Sequence, residues 1–155
     1  MTTKLVLLAA AALLAAGVVS YARAAADPTA AVQSDLAKLT SDSAAARGTL
    51  VTDAQQLTAA AQGAKGATKT DAHAAIHTQL HQLRVDLRSA RKSLRADRKQ
   101  LRLDLRAARH AGVAKTLHAD VVAARKTVRQ NRQDVRTALK TARSAIRELR
   151  KSFQG

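Results

Sequence analysis

The sequence predicts an all-α protein built from long antiparallel helices, arranged either as a three-helix bundle or as a coiled-coil hairpin. Three observations predict this class. Apolar residues recur every seven positions on two interleaved tracks, the a/d pattern of packed helices. An eleven-residue period overlaps with the heptads. The single proline and most of the six glycines fall outside the periodic segments, where helices begin and end.

Each of three segments carries its own pair of heptad tracks. The first has Leu36, Ser43, Leu50 and Leu57, beside Val32, Leu39, Ala46 and Ala60. The second has Leu80, Leu87, Leu94, Leu101 and Ala108, beside Ile76, Leu83, Ala90, Asp97 and Asp104. The third has Val121, Val128, Val135, Ala142 and Leu149, beside Leu117, Ala124, Asn131, Ala138 and Ala145. Each segment should therefore bury one stripe of its surface.

The eleven-residue period is clearest in the second segment. Leu83-Arg84-Val85-Asp86 returns as Leu94-Arg95-Ala96-Asp97, and Leu105-Arg106 follows after eleven more residues. This period corresponds to about 3.67 residues per turn, against 3.5 for heptads. Because the two patterns share positions, we expect long and nearly straight helices.

Capping residues and glycines set the boundaries of three helices, at about residues 28–62, 71–111 and 116–153. Asp27 is an N-cap candidate followed by Pro28 at the first helical position. Residues 63–70 form a Gly/Thr linker in which Thr68 or Thr70 can cap the second helix. Gly112 can end that helix in a left-handed conformation, and Thr116 can start the third. These lengths favour an up-down-up bundle. A hairpin of the second and third helices with a loose first helix is the alternative.

Three polar residues interrupt the apolar tracks of the second and third segments: Asp97, Asp104 and Asn131. If the chain folds back around residue 114, Asp97 should come close to Asn131. Such residues can set the register of packed helices, as a buried Asn does in coiled coils. The alternative is that the interface opens to water at this level.

Residues 1–26 are predicted to be a secretory signal peptide, which leaves residues 27–155 as one domain. Lys4 precedes an uncharged apolar run at residues 5–19, and Ala24-Ala25-Ala26 offers a small-x-small cleavage site. A membrane anchor is the alternative, but fifteen apolar residues cover about 22 Å of a roughly 30 Å hydrocarbon core. The sequence thus predicts a periplasmic or secreted protein.

Positive charge is concentrated in the second half of the chain. The whole protein has a net charge of +16, and residues 82–155 hold 21 lysines and arginines against six acidic residues. Fifteen of these are arginines, mostly spaced by three and four, which aligns guanidinium groups along a helix. We refer to them as the arginine stripes: Arg84, Arg88, Arg91, Arg95, Arg98, Arg102, Arg106 and Arg109, then Arg125, Arg129, Arg132, Arg136, Arg143, Arg147 and Arg150.

The arginine stripes predict an extended anionic partner. Arginine suits bidentate contact with phosphate or carboxylate, and a net charge of this size attracts anions. For an exported protein the candidates are anionic polymers, a lipid surface, or unfolded envelope proteins, and a second copy of the chain, forming a homodimer, is a further candidate partner. If the signal peptide is not cleaved, a histone-like nucleic-acid binder is the alternative.

Three histidines provide a second candidate site. His73, His77 and His81 lie at i, i+4 and i+8, with Asp71 nearby. Two histidines at i and i+4 can point at one metal ion, whereas a complete zinc site needs three or four ligands. A metal-binding role is therefore a further hypothesis, and no other cofactor is expected.

The sequence does not contain the usual signatures of catalysis. It has no Gly-rich phosphate loop, no Gly-x-Ser-x-Gly elbow and no cysteine, and its carboxylates are scattered singly. We therefore expect a binding protein and not an enzyme.

In composition and architecture the chain resembles the small basic helical chaperones of the periplasm. Leu57-Thr58-Ala59-Ala60-Ala61-Gln62 is similar to the Leu-Thr-x-x-Gln motif of the Spy/CpxP family, with one additional residue before the glutamine. The resemblance implies a helical chaperone-like role but assigns no functional residue.

Overall fold

A computed structural model describes residues 27–154 as three long helices, which confirms the all-α class. Helix α1 spans Pro28–Gly63, α2 spans Lys69–His110 and α3 spans His118–Ser152. These ends lie within two residues of the boundaries expected from the sequence. The proposed signal peptide, residues 1–26, lies outside the described residues. No helix in the described part of the chain is long and apolar enough to cross a membrane.

Helix ends follow the capping chemistry of the sequence at three of the four predicted places. Asp27 caps α1 by accepting a hydrogen bond from the Thr29 backbone N–H at 2.8 Å, with Pro28 in the first turn. Thr68 caps α2 by accepting from the Asp71 backbone N–H at 3.2 Å. Gly112 has φ +77°, and the Val113 N–H reaches the Ala108 carbonyl at 3.0 Å, as in a Schellman motif.

The start of α3 differs from the expectation. Thr116 does not cap this helix, because its hydroxyl donates to the Val113 carbonyl at 2.7 Å within the turn. Leu117 occupies the N-cap position without any side-chain hydrogen bond and is instead almost completely buried. Burial of Leu117 in the apolar core thus fixes where α3 begins, whereas the sequence predicted a polar cap at Thr116.

Helix α1 is the centre of the bundle. It packs along both α2 and α3, whereas no Cα atom of α2 comes within 8 Å of a Cα atom of α3 in this part of the structure. The hairpin with a loose first helix is therefore wrong. The second and third helices carry all fifteen arginines of the stripes, whose mutual repulsion opposes close packing, and α1 contacts each of them separately.

Polar contacts fix the register on both sides of α1. Helices α1 and α3 run parallel with an offset of 87 or 88 residues. Three side-chain hydrogen bonds set this offset. Gln33 donates to Asp120 at 3.5 Å, Asn131 donates to Ser43 at 3.2 Å, and Arg47 donates to Asp134 at 2.5 Å. Helices α1 and α2 are antiparallel, with Lys38 opposite Asp97. Asp97 and Asn131 therefore lie at a similar level of the bundle, but each bonds to α1 and not to the other.

The apolar core forms three clusters along the bundle. The cluster near the α2–α3 turn contains Val32, Leu36, Leu101 and Leu117. The middle cluster is built on Leu50, Leu57 and Leu83, and the one at the opposite end contains Ala61, Ala72 and Leu149. Many of these positions are alanine, which allows close helix approach but buries much less apolar area than leucine. The few large buried side chains consequently provide most of the apolar stabilisation.

Carboxylates face each other across the α1–α2 interface. Asp53 of α1 lies close enough to Asp86 of α2 for the two carboxyl groups to interact, and Lys38 holds Asp42 of α1 next to Asp97 of α2. The two pairs follow one antiparallel register, in which each step forward along α1 is a step backward along α2. The same register aligns Asp35 with Asp104. Six of the eleven acidic residues of the protein are thus arranged along one interface.

Lys38 offsets part of the negative charge of the Asp42–Asp97 pair. Its Nζ lies 2.6 Å from Asp42 Oδ2 and 2.6 Å from Asp97 Oδ1. Hydrogen bonds to Asp42 and then Asp97 raise the pKa of Lys38, and the bond from Lys38 lowers the pKa of Asp42. Asp97 is buried, so the interface is closed at this level and the polar residue serves as a register contact.

Among the described residues, no lysine or arginine forms an ion pair with Asp53 or Asp86. Burial raises the pKa of Asp53, and the charge of Asp86 together with the hydrogen bond to it raises the pKa further. Asp53 Oδ2 is buried without a hydrogen-bond partner among the described residues. A proton on Asp53 would relieve the repulsion between the two carboxylates.

Candidate anion-binding pocket

All fifteen arginines of the arginine stripes are exposed. None forms an ion pair with a carboxylate of the described residues. One reason lies in the α1–α2 interface, where Asp86 and Asp97 point away from the arginines of their own helix and toward Asp53 and Lys38 of α1. The guanidinium groups therefore remain available to a ligand.

A break in the apolar core opens a pocket at the middle of the bundle. Ser43 occupies a heptad position on α1 where the neighbouring turns carry Leu36 and Leu50. Ala90 on α2 and Asn131 on α3 line the same pocket. These small or polar side chains leave space between the cluster around Leu36 and the one around Leu50.

The pocket has a volume of about 500 Å³ and is partly open to solvent. All three helices contribute to it. Its apolar surface comes from eight residues: Ala46, Leu50, Leu87, Ala90, Leu94, Val128, Val135 and Leu139. Six arginines also line it: Arg47, Arg91, Arg95, Arg98, Arg132 and Arg136. Ser43 and Asn131 add the hydrogen-bonded polar contact between α1 and α3.

Five of these six arginines belong to the predicted stripes, so the fold brings part of the α2 stripe and part of the α3 stripe to one site. The other ten stripe arginines do not line the pocket. Sequence reasoning did not identify the pocket itself, because it depends on the separation of α2 from α3. A signal was nevertheless present: Ser43, Ala90 and Asn131 each interrupt a heptad track near the middle of a segment.

Arg47 is the one arginine of the pocket that does not belong to the stripes predicted from the sequence. It lies on α1, away from the arginine stripes, and its Nε is 2.5 Å from Asp134 Oδ2. Asp134 also accepts a hydrogen bond from Gln130 at 3.0 Å. Arg47 thus connects α1 to α3 beside the pocket, and because Asp134 offsets its charge, the unpaired cations of the lining are the five stripe arginines.

The histidines lie in the first half of α2 and are exposed. His73 and His77 stack, with ring centroids 5.9 Å apart. Among residues 27–154, however, no group of three or more His, Asp or Glu side chains is arranged to hold a metal ion. The structure brings two of the three predicted ligands together and does not join His73, His77 and His81 into one site.

The fold and its pocket define a helical bundle with a cationic, partly apolar pocket lined by all three helices. No protein-family model matches this chain, and comparisons with curated proteins and with solved structures also find no match. The similarity to the Spy/CpxP motif therefore stays a resemblance of a short segment, and function has to be argued from the arginines and the pocket.

Proposed function

We propose that this protein is an exported, basic, helical binding protein of the bacterial envelope that engages anionic partners through its arginine stripes. The observation that carries the proposal is the exposure of all fifteen arginines without carboxylate partners among the described residues. A cationic surface of this length attracts extended anions, and arginine adds bidentate hydrogen bonds to phosphate or carboxylate. The role is one of binding and not of catalysis.

The distribution of acidic residues supports this proposal. If the arginines served only solubility, mixing both charge signs on the surface would achieve it with less self-repulsion. Instead, α2 turns Asp86 and Asp97 toward α1 and leaves its outer surface cationic. This arrangement keeps positive charge concentrated where an anionic polymer, a lipid surface or an acidic unfolded chain can reach it.

Polyphosphate is a suitable probe because it is an extended anion without apolar groups. We expect binding to weaken steeply as salt concentration rises, since each neutralised phosphate releases counterions. Changing Arg88, Arg95 and Arg102 together to Gln should weaken binding and flatten the salt dependence, while circular dichroism shows unchanged helix content. Changing the same three residues to Lys is the matched control, because it keeps the charge and removes only bidentate geometry. Salt-insensitive binding, or equal affinity of the Gln variant, would overturn the proposal.

Cell fractionation with N-terminal sequencing of the native protein tests the export part of the proposal. A mature chain beginning at Asp27 in the periplasm or medium is the expected result. An intact N-terminus in the cytosol would instead favour the histone-like nucleic-acid binder, whose affinity would rest on the same arginines.

A further inference from the structure

The pocket lining combines two chemical characters that a simple polyanion cannot satisfy together. Leu87 and Leu94 of α2 face the pocket with Val128 and Leu139 of α3, and all four remain only half-buried. A hydrophilic polymer such as polyphosphate would pair with the arginines and leave these apolar side chains uncovered. An uncharged hydrocarbon would cover them and would desolvate the arginines without pairing them. The complementary ligand therefore has an apolar body and an anionic group.

The size of the pocket selects among such ligands. A volume of about 500 Å³ lies within the range of small-molecule sites. An α-helix with its side chains is about 10–12 Å across, so this volume would hold only about one turn of it. An unbranched acyl chain is much thinner and can enter between α2 and α3 as far as Ser43 and Ala46 of α1. A second copy of this chain would bring its own arginine stripes against the pocket, and like charges would oppose it.

We propose that this pocket binds the acyl chain of a single-chain anionic amphiphile, with the carboxylate or phosphate head group paired to the arginines that line it. The inference rests on the proposed anion-binding function and adds the ligand class for one site. Arg95 of α2 and Arg136 of α3 bring cationic groups from both walls. The apolar side chains supply affinity for the chain, and the arginines select for the charged end.

The test is isothermal titration calorimetry of the whole mature chain with monomeric amphiphiles below their micelle-forming concentrations. The probes are hexanoate, octanoate, decanoate and dodecanoate, with dodecyl phosphate for the second head group. Affinity should rise roughly fourfold for each added methylene until the pocket is filled, as burial of a CH₂ group predicts. Dodecanol lacks the charge and inorganic phosphate lacks the chain, so both should bind at least about tenfold more weakly than dodecyl phosphate. Whichever of dodecanoate and dodecyl phosphate binds with the higher affinity identifies the preferred head group.

A variant that fills the pocket without changing charge separates this inference from the proposed function. Ala90→Leu should reduce dodecanoate affinity by roughly tenfold or more and should affect polyphosphate binding much less, because ten of the fifteen stripe arginines lie outside the pocket. Ala96→Leu is the matched control, because Ala96 is exposed on the same helix and does not line the pocket. The chain-length series needs no variant, so it decides the question even if Ala90→Leu does not fold.

Three outcomes would overturn the inference. They are affinity independent of chain length, unchanged dodecanoate binding by a folded Ala90→Leu variant, and displacement of dodecyl phosphate by an acidic amphipathic peptide that binds more tightly. Each of these leaves polyphosphate binding, and with it the proposed function, intact. Loss of polyphosphate binding by the wild-type protein would instead reject the proposed function.

Discussion

Replacing Lys38 with Met removes the cation from the carboxylate pair between α1 and α2. Lys38 Nζ donates to both Asp42 and Asp97, each at 2.6 Å. The Asp97 side chain is 7% exposed, and its Oδ2 has no partner among the described residues. The substitution therefore leaves a buried carboxylate without its cation, next to a second carboxylate. Met is chosen because it retains most of the apolar stem of lysine.

The expected loss of stability is about 2 kcal/mol. Leaving a buried polar group unsatisfied costs about 1–3 kcal/mol, and breaking a fully buried ion pair about 3–5 kcal/mol. The lower range applies because the Lys38 side chain is 59% exposed, so water screens its charge. For a domain of this size, a loss of about 2 kcal/mol lowers Tm by roughly 6–10 °C.

Urea unfolding followed by circular dichroism measures this loss, and its pH dependence checks the cause. The lowered pKa of Asp42 means that its contribution is present above its ordinary value of 3.8 and is lost as pH falls through the lowered pKa. The raised pKa of Lys38 means that its contribution is present below 10.5 and is lost as pH rises through the raised pKa. The difference in the free energy of unfolding between wild type and Lys38→Met should thus be constant near neutral pH. It should shrink at strongly acidic and at strongly basic pH.

A second substitution tests directly whether the buried charge of Asp97 causes the loss of stability. Adding Asp97→Asn to Lys38→Met should recover part of the lost stability, because the double variant no longer buries that charge. Lys151→Met is the matched control: its partner Glu148 is 54% exposed, and the pair should contribute less than about 0.5 kcal/mol. If Lys38→Met is as stable as wild type, or if Asp97→Asn gives no recovery, the reasoning about this interface is wrong.

Three further predictions concern stability and can be measured by denaturant unfolding. Because the pKa of Asp53 is raised by burial and by Asp86, its stabilising contribution is present below pH 3.8 and is lost as pH rises through the raised pKa. Asp53→Asn should therefore gain stability relative to wild type as pH rises, and a pH-independent difference would contradict the pairing. Leu57→Ala should cost about 2–5 kcal/mol, because Leu57 is 2% exposed in the middle cluster, and a loss below about 1 kcal/mol would show a looser core. Gly48→Ala should stabilise α1 by about 0.5–1 kcal/mol, because alanine favours the helix and an added Cβ meets nothing within 4 Å. Gly112→Ala should destabilise the protein by about 1–2 kcal/mol, because the φ of +77° at this position disfavours residues with a Cβ. Equal effects of the two glycine substitutions would contradict the left-handed turn at Gly112.

The helices could be predicted from sequence because their signals are local. Heptad periodicity depends only on spacing along the chain, and Asp27, Pro28 and Gly112 act on the neighbouring turn. The start of α3 could not be predicted in the same way. Leu117 begins this helix by entering the core, and that contact depends on residues distant in sequence such as Val32.

The arrangement of the helices was harder to predict than their ends. Asp97 and Asn131 were expected to meet because a hairpin at residue 114 would align them. Both instead bond to α1, through Lys38 and Ser43. Spacing along the chain determines the level of a residue in the bundle, but it does not determine which of the two other helices faces it. The pocket was missed for the same reason.

The separation of charge between the two faces of α2 connects the fold to the proposed function. Asp86 and Asp97 share the helix with eight arginines, and in an isolated helix several of these could form ion pairs at i and i+4. Packing against α1 turns both carboxylates inward, to Asp53 and to Lys38, and so prevents such pairing. The folded bundle should therefore bind polyphosphate more tightly than an isolated peptide of α2 at the same salt concentration. Equal affinity of the two would mean that composition alone, without the α1–α2 interface, determines anion binding.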